Sequence, residues 1–301
     1  MRDSLSCFGE NGVQVSDTSC SSSTVSKASQ NLVTCTYQCK LVGKSCFITV
    51  CWSKNLMGHC LSVEIDDLFH KCLCKVDVKP SLFFKRKGFK CIDVNSCKIY
   101  VYWDFSIAKF GQGPEPVEGF YVGVVCKGEM VLVVGDLKKE ALKKTGAVPS
   151  LFNSMFVSKK EHVFGKKVYG SKAQFSDNGQ VHNLVIECDE NGVDDPCLVV
   201  RLDSKPVMKV RHLRWKFRGN QTILVDGLPV EIFWDVHNWL FGTTLGNAVF
   251  MFQTCLSAEK LWTGETFLDT SERQWSCSQS FKESKVSGLG FCLTLYAWKN
   301  E

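Results

Sequence analysis

The chain has 301 residues, 45% hydrophobic and 22% charged, a composition that fits a globular protein long enough for two ordinary domains. No apolar run approaches the roughly 18 residues that a membrane helix needs, and a net charge of +5 is too mild to make nucleic acid the default partner. The opening residues carry no basic segment followed by an apolar one, so an intracellular location, cytoplasmic or nuclear and not secreted, is expected.

Residues 1–31 hold nine serines and few large apolar side chains, which predicts a tail unable to offset its own ordering entropy. From Leu32 onward, β-branched and aromatic runs alternate with Gly, Asn, Asp and Pro. Strands are predicted over Ser45–Trp52, Cys60–Asp66, Lys98–Trp103, Phe120–Val125 and Met130–Val134. Of the 17 cysteines, twelve lie at or before Cys126. Without a secretory leader they read as reduced thiols acting as small apolar side chains. No Cys-x-x-Cys pair exists, so no metal and no other cofactor is expected.

The succession of strands recurs. At an offset of 131, Gly88 meets Gly219, Ile92 meets Ile223, Val101 meets Ile232, Trp103-Asp104 meets Trp234-Asp235 and Phe110-Gly111 meets Phe241-Gly242. At an offset of 136, Gln38 meets Gln174, Gly43 meets Gly179, Ile48 meets Leu184 and Val50 meets Ile186. The expected fold class is therefore all-β: two tandem antiparallel meander modules related by internal duplication, each a lipocalin-like barrel or a β-sandwich. The stretch from Asp136 to Gly146 reads as a short connecting helix with an aspartate cap, late lysines and a glycine stop. The domains are then a tail over 1–31, a first β module over 32–150 and a second over 151–301.

An indole beside a carboxylate, as in Trp103-Asp104 and Trp234-Asp235, could bind a ligand or move a proton. Its duplication favours a buried anchor followed by a turn-capping aspartate. After the second copy the loop gains polar and aromatic groups, so Trp234, Asp235, His237 and Trp239 form the candidate ligand-binding mouth. No nucleophile stands at a known spacing from His237, and no catalytic residue is assigned. Lys85, Arg86 and Lys87, with Arg214, Lys216 and Arg218, form a candidate basic face. Arg214, Lys216 and Arg218 alternate with Trp215 and Phe217, as on a half-buried strand.

A family resemblance rests on Cys51-Trp-Ser-Lys-Asn-Leu-Met-Gly-His-Cys60, Cys74-Lys-Val-Asp-Val-Lys-Pro80, Phe105-Ser-Ile-Ala-Lys-Phe110 with Pro114-Glu-Pro116 and Gly119-Phe-Tyr121, Gly135-Asp-Leu-Lys-Lys139, Lys160-Glu-His-Val-Phe-Gly165, Trp215-Lys-Phe-Arg-Gly-Asn220 and Phe233-Trp-Asp-Val-His237. In this order, from about Leu32 to Leu245, the blocks resemble the plant family catalogued as domain of unknown function 868. The resemblance implies a land-plant source and carries no catalytic residue over. The chain departs from the family pattern by its cysteine enrichment in the first module, so no shared role passes to those thiols.

The leading expectation is a plant protein that binds without catalysis. It would hold an apolar small molecule or lipid in a module interior, or an acidic protein partner on its basic face. An isomerase or cyclase of double-barrel type using the His237 loop is the rival. Weak binding of nucleic acid or anionic lipid through the basic strand faces is the third reading, with nucleic acid disfavoured by the alternation.

Overall fold

Along β2 (Lys44–Asn55), β3 (Gly58–Asp67) and β6 (Cys97–Asp104), buried and exposed side chains alternate, which is what a pleated strand does when one face meets a core. The computed structural model describes residues 31–56, 58–78, 86–94, 97–111, 113–150, 154–176, 179–189, 195–242, 246–254 and 291–299. The expected serine-rich tail lies outside the described residues, except that β1 (Asn31–Leu41) already includes its last position.

The strands β1 to β4 (Cys72–Val78) pair in chain order as one meander. Against it packs a second meander of β5 (Lys87–Val94), β6, β9 (Tyr121–Cys126) and β10 (Glu129–Val134), edged by the two-residue β11 (Val148–Pro149), which runs parallel to β10. A two-stranded ribbon of β7 (Lys109–Phe110) and β8 (Pro116–Glu118) projects between β6 and β9. One core joins the two sheets: Ile48, Val50, Val63, Ile65 and Val76 from the first meet Val101, Trp103, Val122 and Val124 from the second. A second pair of sheets follows. There β13 (Val168–Gln174), β14 (Val181–Asp189), β15 (Cys197–Leu202) and β16 (Lys205–Val210) form one sheet. They share a core with β17 (Arg218–Val225), β18 (Leu228–Asp235), β19 (Asn247–Thr254) and β20 (Cys292–Lys299). None of the described sheets closes into a barrel, so of the two expected forms the lipocalin-like one is set aside. Two open sheets over one core is the sandwich arrangement.

Between the two halves runs β12 (Met155–Gly165), which pairs antiparallel with β1 and parallel with β20. The result is a nine-stranded sheet in the order β17-β18-β19-β20-β12-β1-β2-β3-β4. The parallel pairing of β12 with β20 departs from the expected all-antiparallel arrangement. The two strands are separated in the chain by β13 to β19, a connection long enough to return the chain in the same direction. Phe156 of β12 packs against both cores, with Tyr37 at 5.2 Å on one side and Phe291 at 5.4 Å on the other.

Two local expectations are corrected. The helix α1 (Lys138–Thr145) forms and ends on left-handed Gly146, but Asp136 does not cap it. Its carboxylate instead accepts from the backbone N–H groups of Gly119 and Phe120, both at 3.0 Å, and these donors hold its pKa below the usual carboxylate range. Residues 211–217 are not a strand: the N–H groups of Trp215 and Lys216 both donate to the His212 carbonyl, and β17 starts only at Arg218. This segment carries the chain from one sheet of the second sandwich to the other, which a continuous strand cannot do. Leu213 anchors it in the core and Trp215 is left 84% exposed.

In the second sandwich the two sheets are also clamped by a histidine. The ring of His182 on β14 is hydrogen-bonded to Asp203 Oδ2 at 2.7 Å through Nδ1 and to Asp226 Oδ2 at 2.9 Å through Nε2. Asp226, then Asp203, raise the imidazole pKa above its ordinary 6.5 against the lowering effect of burial. A raised histidine contributes stability that is fully present below the unfolded pKa and is lost as pH climbs through the folded one. The His182→Gln variant is expected to lose about 1–2 kcal/mol at pH 6, a modest figure because both carboxylates are partly exposed. Urea unfolding at pH 6 and pH 9 checks it: the deficit should narrow at the higher pH, and a constant one would contradict a charged clamp.

Seven of the described cysteines sit in the interior as small apolar side chains, while Cys72 and Cys91 are exposed. All thirteen described ones are free thiols, and Cys35, Cys39, Cys46, Cys74, Cys126, Cys188 and Cys292 are buried. Burial pushes the thiols of Cys35, Cys39 and Cys46 up to about 12, so they stay protonated and unreactive.

Candidate functional site

The face of the nine-stranded sheet turned away from both cores holds a hollow of about 640 Å³. Residues of eight of its strands line it, from Arg218 on β17 to Asp66 on β3. Laid flat, eight strands would span roughly 34 Å at about 4.8 Å each. For one hollow to touch them all, the sheet must be rolled into a trough.

Strand alternation decides the lining. On β1 the odd residues Val33 and Cys35 go into the core, which turns Thr34 and Thr36 to the trough, with Thr49 of β2 opposite Thr36. On the parallel pair, Ser158 lies beside Cys292, Lys160 beside Thr294 and His162 beside Tyr296. Phe233 and Met251, paired across β18 and β19, complete an apolar half. The floor is therefore a row of hydroxyls flanked by aromatic and aliphatic side chains, with Lys160 and Arg218 as cations and Asp66 and His70 at the opposite wall. An aromatic ladder extends from it: His162 lies 5.0 Å from Tyr296 and 5.9 Å from Trp298, whose Nε1–H donates to His162 Nδ1 at 3.1 Å. Accepting that bond requires an unprotonated Nδ1, and burial lowers the ring's pKa in the same direction.

Glu64, Asp66 and Cys72 bring one ligand atom each within 4.8 Å of one another, so among the described residues this group could offer three ligands to a cation. The Asp66 carboxyl is raised by burial and then by Glu64, and burial raises the Cys72 thiol to about 11, which disfavours a thiolate ligand there.

The four residues of the expected mouth occupy distinct environments. Trp234 is buried, lines the trough and donates Nε1–H to the Lys216 carbonyl at 2.9 Å. Asp235 accepts from the His237 backbone N–H through Oδ1 and from Arg218 Nε through Oδ2, both at 2.9 Å. The His237 ring is held between Phe217 at 5.3 Å and Phe241 at 5.2 Å, and the carboxylate beside it bonds its backbone, not its imidazole. Trp239, on the short helix α2 (His237–Phe241), is buried against Tyr169. Of the basic residues, Lys85 lies outside the described residues, Arg86 and Lys87 are exposed at the start of β5, and Arg214, Lys216 and Arg218 are exposed at and before β17. The two groups thus lie on different sheets. Sequence reasoning missed the trough.

A second hollow, of about 280 Å³, opens at one end of the first sandwich beside Ala108. His59 Nδ1 lies 3.1 Å from the Pro114 carbonyl there, and its ring centroid is 4.0 Å from that of Phe110.

Among the described residues no helix is long and apolar enough to cross a membrane. The family model described as plant protein of unknown function (DUF868) matches residues 28–299 and so extends past the motif blocks to the last described strand. No curated protein and no solved structure matches the chain.

Proposed function

The chain belongs to the family of plant proteins of unknown function DUF868, and from that premise, which assigns no activity, we propose that it is a non-catalytic binding protein whose ligand lies in the trough. The carrying observation is the lining: a hollow within the size range of small-molecule sites, mostly apolar, with a few hydroxyls and two cations converging on it. That chemistry suits an amphipathic molecule with an apolar or aromatic body and an anionic or hydroxylated end. This ligand belongs on the outer face of the shared sheet, because the two cores are filled by their own side chains except at the hollow beside Ala108, which is less than half the size of the trough.

We also read the two sandwiches as copies of one unit, the first ending near residue 150. Support comes from register: Gly88 stands opposite Trp103 and Gly219 opposite Trp234. If the unit arose by duplication, the trough is a product of joining the copies through β12, since neither half supplies its lining alone.

The naphthalene sulfonate dye 1-anilinonaphthalene-8-sulfonate tests the proposal. The native protein is expected to bind about one equivalent with blue-shifted emission. Met251→Glu, which sets a carboxylate in the apolar floor, should weaken binding at least about tenfold by desolvation and repulsion while leaving the melting temperature unchanged. Undiminished binding by that variant, or no binding by the native chain, would overturn the assignment.

A further inference from the structure

The hollow beside Ala108 exists because the first sandwich has a methyl group where the second has an indole. Both run the same turn after the Trp-Asp strand. Phe105 N–H donates to the Arg86 carbonyl at 2.6 Å, as Val236 N–H does to Phe217 at 2.9 Å. Ser106 N–H donates to Asp104 Oδ1 at 3.0 Å, as His237 N–H does to Asp235 Oδ1 at 2.9 Å. Ala108 N–H donates to Phe105 O at 3.2 Å, as Trp239 N–H does to Val236 O at 3.0 Å. Three matching bonds place Ala108 and Trp239 at the same point of the same turn.

The Trp239 side chain then enters the second sandwich, where it is 5% exposed, stacks on Tyr169 at 4.8 Å and donates Nε1–H to the Ala297 carbonyl at 3.0 Å. In the first sandwich part of that volume is made up on a facing strand: Trp52, opposite Leu61, stands where the second has Cys188 opposite Leu198. What remains is about 280 Å³, walled by Trp52, Leu61, Phe105 and Phe110. A dry cavity of about 150 Å³ already admits benzene, so a bicyclic ring fits here. The lining's polar groups are cationic or neutral. Arg86 is exposed at the rim, and burial and the nearby Lys54 lower the His59 pKa and so favour its neutral form, against the raising effect of its Nδ1 contact with the Pro114 carbonyl. Among the described residues no carboxylate lines the hollow.

We propose that this hollow is a second binding site, distinct from the trough, for a planar aromatic anion of one or two rings. The ring takes the place that Trp239 fills in the other sandwich, and the carboxylate meets the Arg86 guanidinium. The two hollows share no lining residue, so the proposal stands or falls apart from the trough.

Calorimetric titration of the full chain with indole-3-carboxylate and with neutral indole tests it. The acid is expected to bind about tenfold or more tightly than indole, the ratio that one hydrogen-bonded charge contact gives. Arg86→Gln, an exposed change, should bring the acid down to the affinity of indole. Ala108→Trp should abolish binding of both and leave the melting temperature at or above that of the native chain. Should Ala108→Trp not fold, Ala108→Leu takes its place with an expected loss of about tenfold. Met251→Glu should change neither affinity. Equal affinity for acid and indole, undiminished binding when Ala108 is enlarged, or no binding of either by the native chain would overturn the site.

Discussion

Trp234→Ala is expected to lower the unfolding free energy by about 3–5 kcal/mol, the range for removing a large aromatic ring from a packed interior. The indole is 6% exposed and sits among Ile232, Phe250 and Leu295 of the second core. Burying a ring of about 200 Å² at ~25 cal/mol per Å² is worth roughly 5 kcal/mol gross. Its place is made by the strand beside it. Gly219 lies opposite Trp234 across β17 and β18, and a Cβ there would stand 2.4 Å from the indole Cζ2. Gly219→Ala should therefore also destabilise, by about 1–3 kcal/mol, through overpacking instead of cavity formation. The two changes bracket one contact from opposite sides. Urea unfolding midpoints check both, and a Trp234→Ala chain as stable as the native one would mean that the ring is not part of the core. The pair Gly88 and Trp103 should respond in the same direction, with a Cβ at 2.9 Å from its ring.

Lys159→Ala is expected to cost about 3–5 kcal/mol, for an electrostatic reason. The ammonium, 17% exposed, lies on β12 with Glu115 at 3.1 Å and Glu161 at 3.5 Å. Ser171 donates to the same Glu161 carboxylate, and so ties β12 to β13. Burial alone would lower the lysine pKa, but Glu161 and Glu115 outweigh it and raise it, so the group is charged at all ordinary pH values. Removing it strands Glu161, whose side chain is 18% exposed, without its cation. Most of the loss comes from that uncompensated charge. Lys159→Met with Glu161→Leu removes both charges and should recover much of the stability. A single variant as stable as the native chain in urea unfolding, or a double variant no more stable than the single one, would show that the network contributes little at this joint.

Much of the fold was legible because its signals are local. Trp103 and Trp234 were readable as inward-facing because they recur at strand ends, and Asp104 and Asp235 as turn caps because a short carboxylate after a strand bonds the amide two residues on, as both do. The helix over Lys138–Thr145 was visible from its lysines and Gly146, whereas its cap was misread: Asp136 is held by Gly119 and Phe120, distant in the chain. Arg214 to Phe217 alternate as a strand would, but a chain that changes sheets overrides the pattern. The trough was invisible because Thr34, Thr36 and Thr49 look alike whether a polar face meets bulk water or a rolled sheet.

By itself, then, the sequence determined several of the strands and which of their side chains go inward, because alternation and turn residues act within a few positions along the chain. The tertiary structure alone decided that β12 joins β1 to β20, that the sheets stay open and that a common sheet curls into a trough. Those outcomes depend on pairing between strands far apart in the chain, and a period-2 pattern is satisfied equally well by any neighbour that covers the apolar face.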